Sequence, residues 1–308
     1  MKSIFIFFIL FLASQHILTA QTIPLYPDSI PNSRPSPNEE TVENKDGMIG
    51  KISVPALYLF PASLEKANGT AVIICPGGGY WAEFMNHEGR DEARALNEMG
   101  VSAFILKYRI PSDQTMYDRT TGPLMDAQQA IKIIRIHARE WHIDPNRVGI
   151  MGFSAGGHLA STAGTHFKSV LIPDPEHISV RPDFMILIYP VISFQDSIGH
   201  IGSRDQLIGK NPTTEKKDLY SNELQVTDET PPAFLVHASD DDGVKPDNSI
   251  LFYQALLRHH VPAELHLYES GGHGFGMHFK NTQELWMDRC KNWLLLNGWL
   301  KKSVIAFP

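Results

Sequence analysis

An α/β fold, with a mostly parallel sheet covered by helices on both faces, is predicted for this chain by three observations. Short apolar runs recur along it, each edged by Gly, Pro, Asn or Asp, the mark of buried strands. Segments of helical periodicity lie between those runs, the alternation expected of a parallel sheet. The 308 residues, 43% hydrophobic and 20% charged, are ordinary for a globular chain that buries one large core.

The N-terminus comes first. In "MKSIFIFFILFLASQHILTA", Lys2, an apolar run from Ile4 to Ala13 and the small residues Thr19 and Ala20 follow the three-part pattern of a secretory signal. The run is half the roughly 20 residues that cross a bilayer. Residues 1–20 are therefore expected to be removed after Ala20, with the protein exported to the periplasm or the medium. No cysteine lies near that point to carry a lipid. Residues 21–48 are rich in Pro, Ser, Asn and Glu, show no periodicity, and read as an extended N-terminal arm. Residues 49–308 form the folded domain.

Six strands are expected: "AVIIC" (71–75), "SAFILKY" (102–108), "RVGIMGF" (147–153), "DFMILIY" (183–189), "AFLVHA" (233–238) and "AELHLYE" (263–269). In "GPLMDAQQAIKIIRIHAREW", Pro123 suits a first helical position, and Leu124, Ala127, Ile131, Ile134 and Ala138 share one face. Trp286, Cys290 and Trp293 carry the stripe of a last helix that Gly298 stops. Cys75 and Cys290 sit in separate apolar settings and are expected to be unpaired buried thiols.

Charge excludes some partners. The net charge is −7, or −8 without residues 1–20, which hold one of the 27 basic residues and none of the 34 acidic ones. Neither nucleic acid nor an anionic membrane suits that surface, and no later segment is long and apolar enough to span a bilayer. The oligomeric state is not encoded in any pattern here.

Ligands of open parallel sheets gather at the carboxyl ends of the strands, so the loops there matter most. After "AVIIC" come three glycines in "PGGGYW", which let backbone amides approach a ligand. After "RVGIMGF", the run Gly152-Phe153-Ser154-Ala155-Gly156 fits G-x-S-x-G at a strand-to-helix junction. Its glycines make room for a sharp turn that holds the Ser154 hydroxyl clear of the sheet, with the Ala155 amide aimed at developing negative charge. After "AFLVHA" comes "SDDDGVKP", in which one of Asp240, Asp241 and Asp242 can orient a histidine. After "AELHLYE" comes "SGGHGFGMH", which wraps His273 in glycine. His137 and His142 have ordinary structural readings. No spacing suggests calcium or zinc, and no cofactor is expected. Serine, aspartate and histidine thus follow in the chain order of a hydrolase triad.

These segments resemble the hormone-sensitive-lipase-like and carbohydrate-esterase branch of the α/β-hydrolase superfamily. "CPGGGYW" is similar to its His-Gly-Gly-Gly oxyanion motif, with Pro76 in the histidine position; "KYRI" (107–110) is similar to a Tyr-Arg motif; "GFSAGGHLA", "PPAFLVHASDDDGV" and "YESGGHGFG" resemble the nucleophile, acid and histidine segments. The likeness spans about residues 50–298 and makes 49–308 an α/β-hydrolase domain, a three-layer sandwich. It implies Ser154 as nucleophile, His273 as base and, by the family spacing D-x-x-V, Asp241 as the acid. It implies an oxyanion hole from the amides of Gly78, Gly79 and Ala155. Residues 202–232 resemble secreted bacterial esterases that act on acetylated plant polysaccharides such as xylan, so an acetylated carbohydrate or small ester is the implied substrate. Tyr80 and Trp81 are candidates for the acyl pocket or for stacking on a sugar, with bracing of the loop as the other reading. Asn222, with Glu223, is a candidate for the alcohol side. The alternatives are a serine peptidase or amidase on the same scaffold, and a hydrolase-like binding protein without turnover.

Overall fold

The computed structural model describes residues 21–279 and 285–300; the expected signal segment, residues 1–20, lies outside them. Ten strands are described: β1 (Gln21–Pro24), β2 (Met48–Gly50), β3 (Ala56–Phe60), β4 (Ala71–Cys75), β5 (Ala82–Phe84), β6 (Ser102–Lys107), β7 (Val148–Phe153), β8 (Met185–Ile188), β9 (Ala233–Ala238) and β10 (Ala263–Tyr268). With them come seven helices: α1 (Asp91–Glu98), α2 (Gly122–Ile136), α3 (Ser154–Thr165), α4 (Ile201–Ile208), α5 (Thr214–Leu219), α6 (Asp247–Arg258) and α7 (Trp286–Leu296).

Eight strands form one sheet in the order β1-β3-β6-β4-β7-β8-β9-β10. From β6 to β10 every pairing is parallel, whereas β3 runs antiparallel to β6 and β1 antiparallel to β3. All residues of β4, β6, β7, β8 and β9 are buried. A strand buried at every position needs cover on both faces, and the helices supply it. The fold is the expected α/β sandwich. Its six parallel strands are the six that the sequence predicts.

The differences lie at one edge. The stretch read as an arm begins as β1, zipped onto β3 from Gln21–Leu59 to Pro24–Ala56. Met48 belongs to β2, which pairs with β5 in a separate two-stranded sheet. Arg109 fastens the rest of the arm. Its guanidinium is buried, pairs with Asp126 at 2.7 Å and donates to the Pro31 carbonyl at 2.7 Å. Cys75 and Cys290 are free and buried, as expected.

Candidate active site

The site sits at the carboxyl ends of the parallel strands. β7 ends in extended backbone at Phe153, and the next residue, Ser154, turns to φ +50° and opens α3. A non-glycine residue is strained in this left-handed region. A Cβ at Gly156 would lie 2.1 Å from the Cys75 carbonyl oxygen, so α3 can approach the neighbouring strand end only with glycine there.

The loop after β10 brings His273 to this turn, and the loop after β9 brings Asp241 to His273. His273 Nε2 lies 2.8 Å from Ser154 Oγ, and its Nδ1 lies 2.8 Å from Asp241 Oδ2. A carboxylate only accepts, so Nδ1 carries the proton and Nε2 is free to accept from the serine hydroxyl. Asp241 Oδ1 accepts from the amides of Gly243 (3.0 Å) and Val244 (2.8 Å).

A second imidazole lies behind the acid. His237, fully buried on β9, places Nε2 3.2 Å from Asp241 Oδ2 and 2.9 Å from the Val244 carbonyl oxygen, while its Nδ1 meets the Ser249 hydroxyl at 2.8 Å. Burial alone would raise the Asp241 carboxyl. The hydrogen bonds from His237 and His273 outweigh it and hold the group well below the usual carboxylate range. Of the three consecutive aspartates, Asp241 alone is buried. Asp240 instead accepts from the Gly271 and Gly272 amides, each at 2.8 Å, and so props the histidine loop.

On the opposite side of Ser154 stands the glycine loop after β4. The amides of Gly78, Gly79 and Ala155 have no acceptor among the described residues. The Gly77 amide differs: it donates to Glu88 Oε2 at 2.8 Å. Gly78 adopts φ +134°, and a Cβ there would fall 2.1 Å from the Ala82 carbonyl oxygen. Pro76 is braced through its carbonyl, which accepts from the buried Tyr108 hydroxyl at 2.8 Å. The Tyr-Arg pair thus has two tasks, with Tyr108 under the glycine loop and Arg109 on the arm.

Two candidates for substrate contact turn inward. Tyr80 is 1% exposed, and its hydroxyl meets His158 Nδ1 at 2.9 Å, so it braces the loop from within the core. Asn222 is fully buried, with Nδ2 donating to Ser161 Oγ (2.7 Å) and Thr162 Oγ1 (3.0 Å) on α3. Glu223 is likewise buried and accepts from Ser193 Oγ at 2.7 Å. Trp81 alone of these stays open, at 50% exposure.

Sequence reasoning missed the bracing set. Glu88 also accepts from the Tyr189 hydroxyl at 2.8 Å, and that hydroxyl accepts from the Gly276 amide at 3.0 Å. The Tyr189 ring lies edge-on to His273, with centroids 5.0 Å apart. One buried carboxylate therefore joins the glycine loop to the histidine loop. The available signal was weak: a polar residue inside a buried stretch must find a partner, but its identity is not written nearby.

The chain is similar to known esterases and related hydrolases. The BD-FAE family model matches residues 57–256, a span that holds Ser154 and Asp241 and stops short of His273. The chain is 39% identical over 243 residues to an acetylxylan esterase of Xylanibacter ruminicola, covering 77% of this chain and 46% of that one. It is 38% identical over 239 residues to endo-1,4-beta-xylanase B of Butyrivibrio fibrisolvens, covering 77% and 36%. The chain thus spans less than half the length of these two relatives. Among solved structures, an acetyl ester-xyloside bifunctional hydrolase from Caldicellulosiruptor lactoaceticus superposes with a TM-score of 0.80 at 38% identity, over 94% of this chain and all of that one.

Proposed function

The chain belongs to the BD-FAE family of α/β-hydrolases, and from that premise we propose that it is a serine carboxylesterase that removes acetyl groups from xylan or its oligosaccharides. One observation carries the reading: a serine, an imidazole and a carboxylate in a line of two 2.8 Å contacts, beside three amides without an acceptor among the described residues. The substrate class is supported by two similar proteins, one named an acetylxylan esterase and the other an acetyl ester-xyloside bifunctional hydrolase.

His273 Nε2 takes the Ser154 proton as Oγ attacks the acetyl carbonyl carbon. The amides of Gly78, Gly79 and Ala155 meet the resulting oxyanion; in such sites each donor contributes about 10²–10³-fold in rate. Asp241 holds the imidazole in the Nδ1–H tautomer and stabilises the imidazolium. His273 then protonates the sugar oxygen as the C–O bond of the ester breaks, leaving an acetyl-enzyme. Water repeats the sequence and releases acetate.

Ser154→Ala is expected to lose turnover of acetylated xylo-oligosaccharide by about 10⁴-fold or more with an unchanged melting temperature, and to resist labelling by a serine-reactive phosphonate. Full activity in that variant would end the assignment. Export belongs to the same proposal, because a polysaccharide substrate lies outside the cell. Sequencing the mature N-terminus is expected to begin at Gln21, and a retained Met1 would refute cleavage.

A further inference from the structure

We propose that the cleft between the arm and the loop after β6 is a glycosyl subsite, which seats the neutral sugar units flanking the acetylated one against Trp81. This inference rests on the esterase reading and adds where the carbohydrate lies. The cleft encloses about 660 Å³, within the roughly 300–1,000 Å³ typical of small-ligand sites.

Its walls come from distant parts of the chain. Pro35–Glu39 of the arm face the segment Ser112–Thr115, with Trp81 and Gln206 on other sides. Hydrogen bonds staple the first two walls together: the Arg34 amide donates to the Thr115 carbonyl at 2.8 Å, and Arg34 Nε to the Met116 carbonyl at 2.9 Å. The two-stranded β2–β5 sheet sews the arm to the glycine loop through the Gly50–Ala82 pair. The cleft is therefore a built feature of the fold.

Two contacts place it beside the reacting centre. The indole of Trp81 packs on Gly79, where a Cβ would meet Trp81 Cδ1 at 2.9 Å. On the same loop, a Cβ at Gly77 would meet Ser154 Cβ at 2.9 Å. One wall of the cleft is thus continuous with the loop whose amides face the ester.

The lining suits sugar better than an acyl chain. A half-exposed indole offers a flat face to the C–H side of a pyranose. Around it, the exposed side-chain amides of Gln114 and Gln206 make no hydrogen bond among the described residues. An acyl chain would cover such groups without pairing them, which disfavours it. Sugar hydroxyls donate and accept, and satisfy them.

The test compares two esters on the wild-type chain and on the double variant Gln114→Leu, Gln206→Leu. KM for acetylated xylo-oligosaccharide is expected to rise about tenfold, while KM for 4-nitrophenyl acetate moves less than about twofold, as loss of uniform binding requires. Equal movement of both KM values, or of neither, overturns the subsite while the esterase reading stands. A wild-type chain inactive on both esters sinks that reading instead. The subsite is then judged by titrating the Ser154→Ala chain with xylo-oligosaccharide free of acetyl groups. Quenching of tryptophan fluorescence that weakens in the double variant and is lost in Trp81→Phe supports the cleft; no quenching refutes it.

Discussion

The two flanks of Ser154 are made of different material. On one flank stand side chains: His273, Asp241 and, behind them, His237, held by hydrogen bonds to a carboxylate that stays ionised. On the other flank stands bare backbone, the Gly77–Gly79 loop, held in shape by Glu88, Tyr108 and the Tyr80–His158 pair. In the proposed mechanism the first flank moves protons and depends on which atoms carry them. The second moves nothing and depends on where three amides point. Damage to the first should change how rate varies with pH; damage to the second should lower rate at every pH.

The largest expected effect falls on the proton-moving flank. Asp241→Asn keeps the shape but offers His273 Nδ1 a different partner and the wrong tautomer, with a loss in kcat of about 10⁴-fold. The amide nitrogen it introduces also confronts donors, whichever way it turns, in the Gly243 and Val244 amides and in His237. The loss should shrink in alkali, where hydroxide serves as base, and a pH–rate profile parallel to that of the wild type would erase the distinction drawn above. Gly78→Ala strikes the backbone flank. The added methyl faces the Ala82 carbonyl at 2.1 Å in a conformation alanine avoids. Loss of a donor costs about 10²–10³-fold in kcat, with KM nearly unchanged because the oxyanion exists only in the transition state. A pH profile of unchanged shape, scaled down, is the expected record. A rate within about twofold of wild type would remove Gly78 from the oxyanion hole.

The smallest effect on rate, though not on stability, concerns His158. Burial lowers its pKa to about 4, despite the hydrogen bond to the Tyr220 carbonyl. The unfolded chain takes up the proton near the ordinary value of about 6.5, whereas the folded chain does so only near the lowered one. Between those limits the unfolded state binds more protons, so falling pH favours unfolding, by about 3 kcal/mol in total. Melting temperatures measured from pH 7 to pH 4 should fall more steeply for the wild type than for His158→Gln, which starts lower and runs flatter. Parallel curves would show that His158 is not the sensor.

The same division governs what the sequence makes legible. The six parallel strands can be read because each is a continuous apolar run with turn residues at both ends. β3, "ALYLF", lies between Pro55 and Pro61 and was within reach of that rule. β1, "QTIP", was not, since an exposed edge strand needs no apolar run. Ser154 and His273 stand out because glycines surround them, and glycine is the visible trace of close approach. Asp241 needed the family spacing to separate it from its neighbours, and burial explains the choice. Glu88, His158 and Tyr189 leave no such trace, for each is a single polar residue with a partner far along the chain, and His237 reads as one more position of a buried strand. Tyr80 and Asn222 illustrate the opposite case: the place of Tyr80 beside the glycines, and family resemblance for Asn222, suggested contact with substrate, while hydrogen bonds to α3 and its histidine pull them into the core.

Glu88 has a further consequence. Its carboxylate receives the Gly77 amide on one oxygen and, through the Tyr189 hydroxyl, the Gly276 amide on the other. Two segments that the sequence separates by almost two hundred positions are thereby latched on one rigid pin. Loss of that one carboxylate would unfasten both, so electrophile clamp and proton carrier share a single anchor against thermal fluctuation.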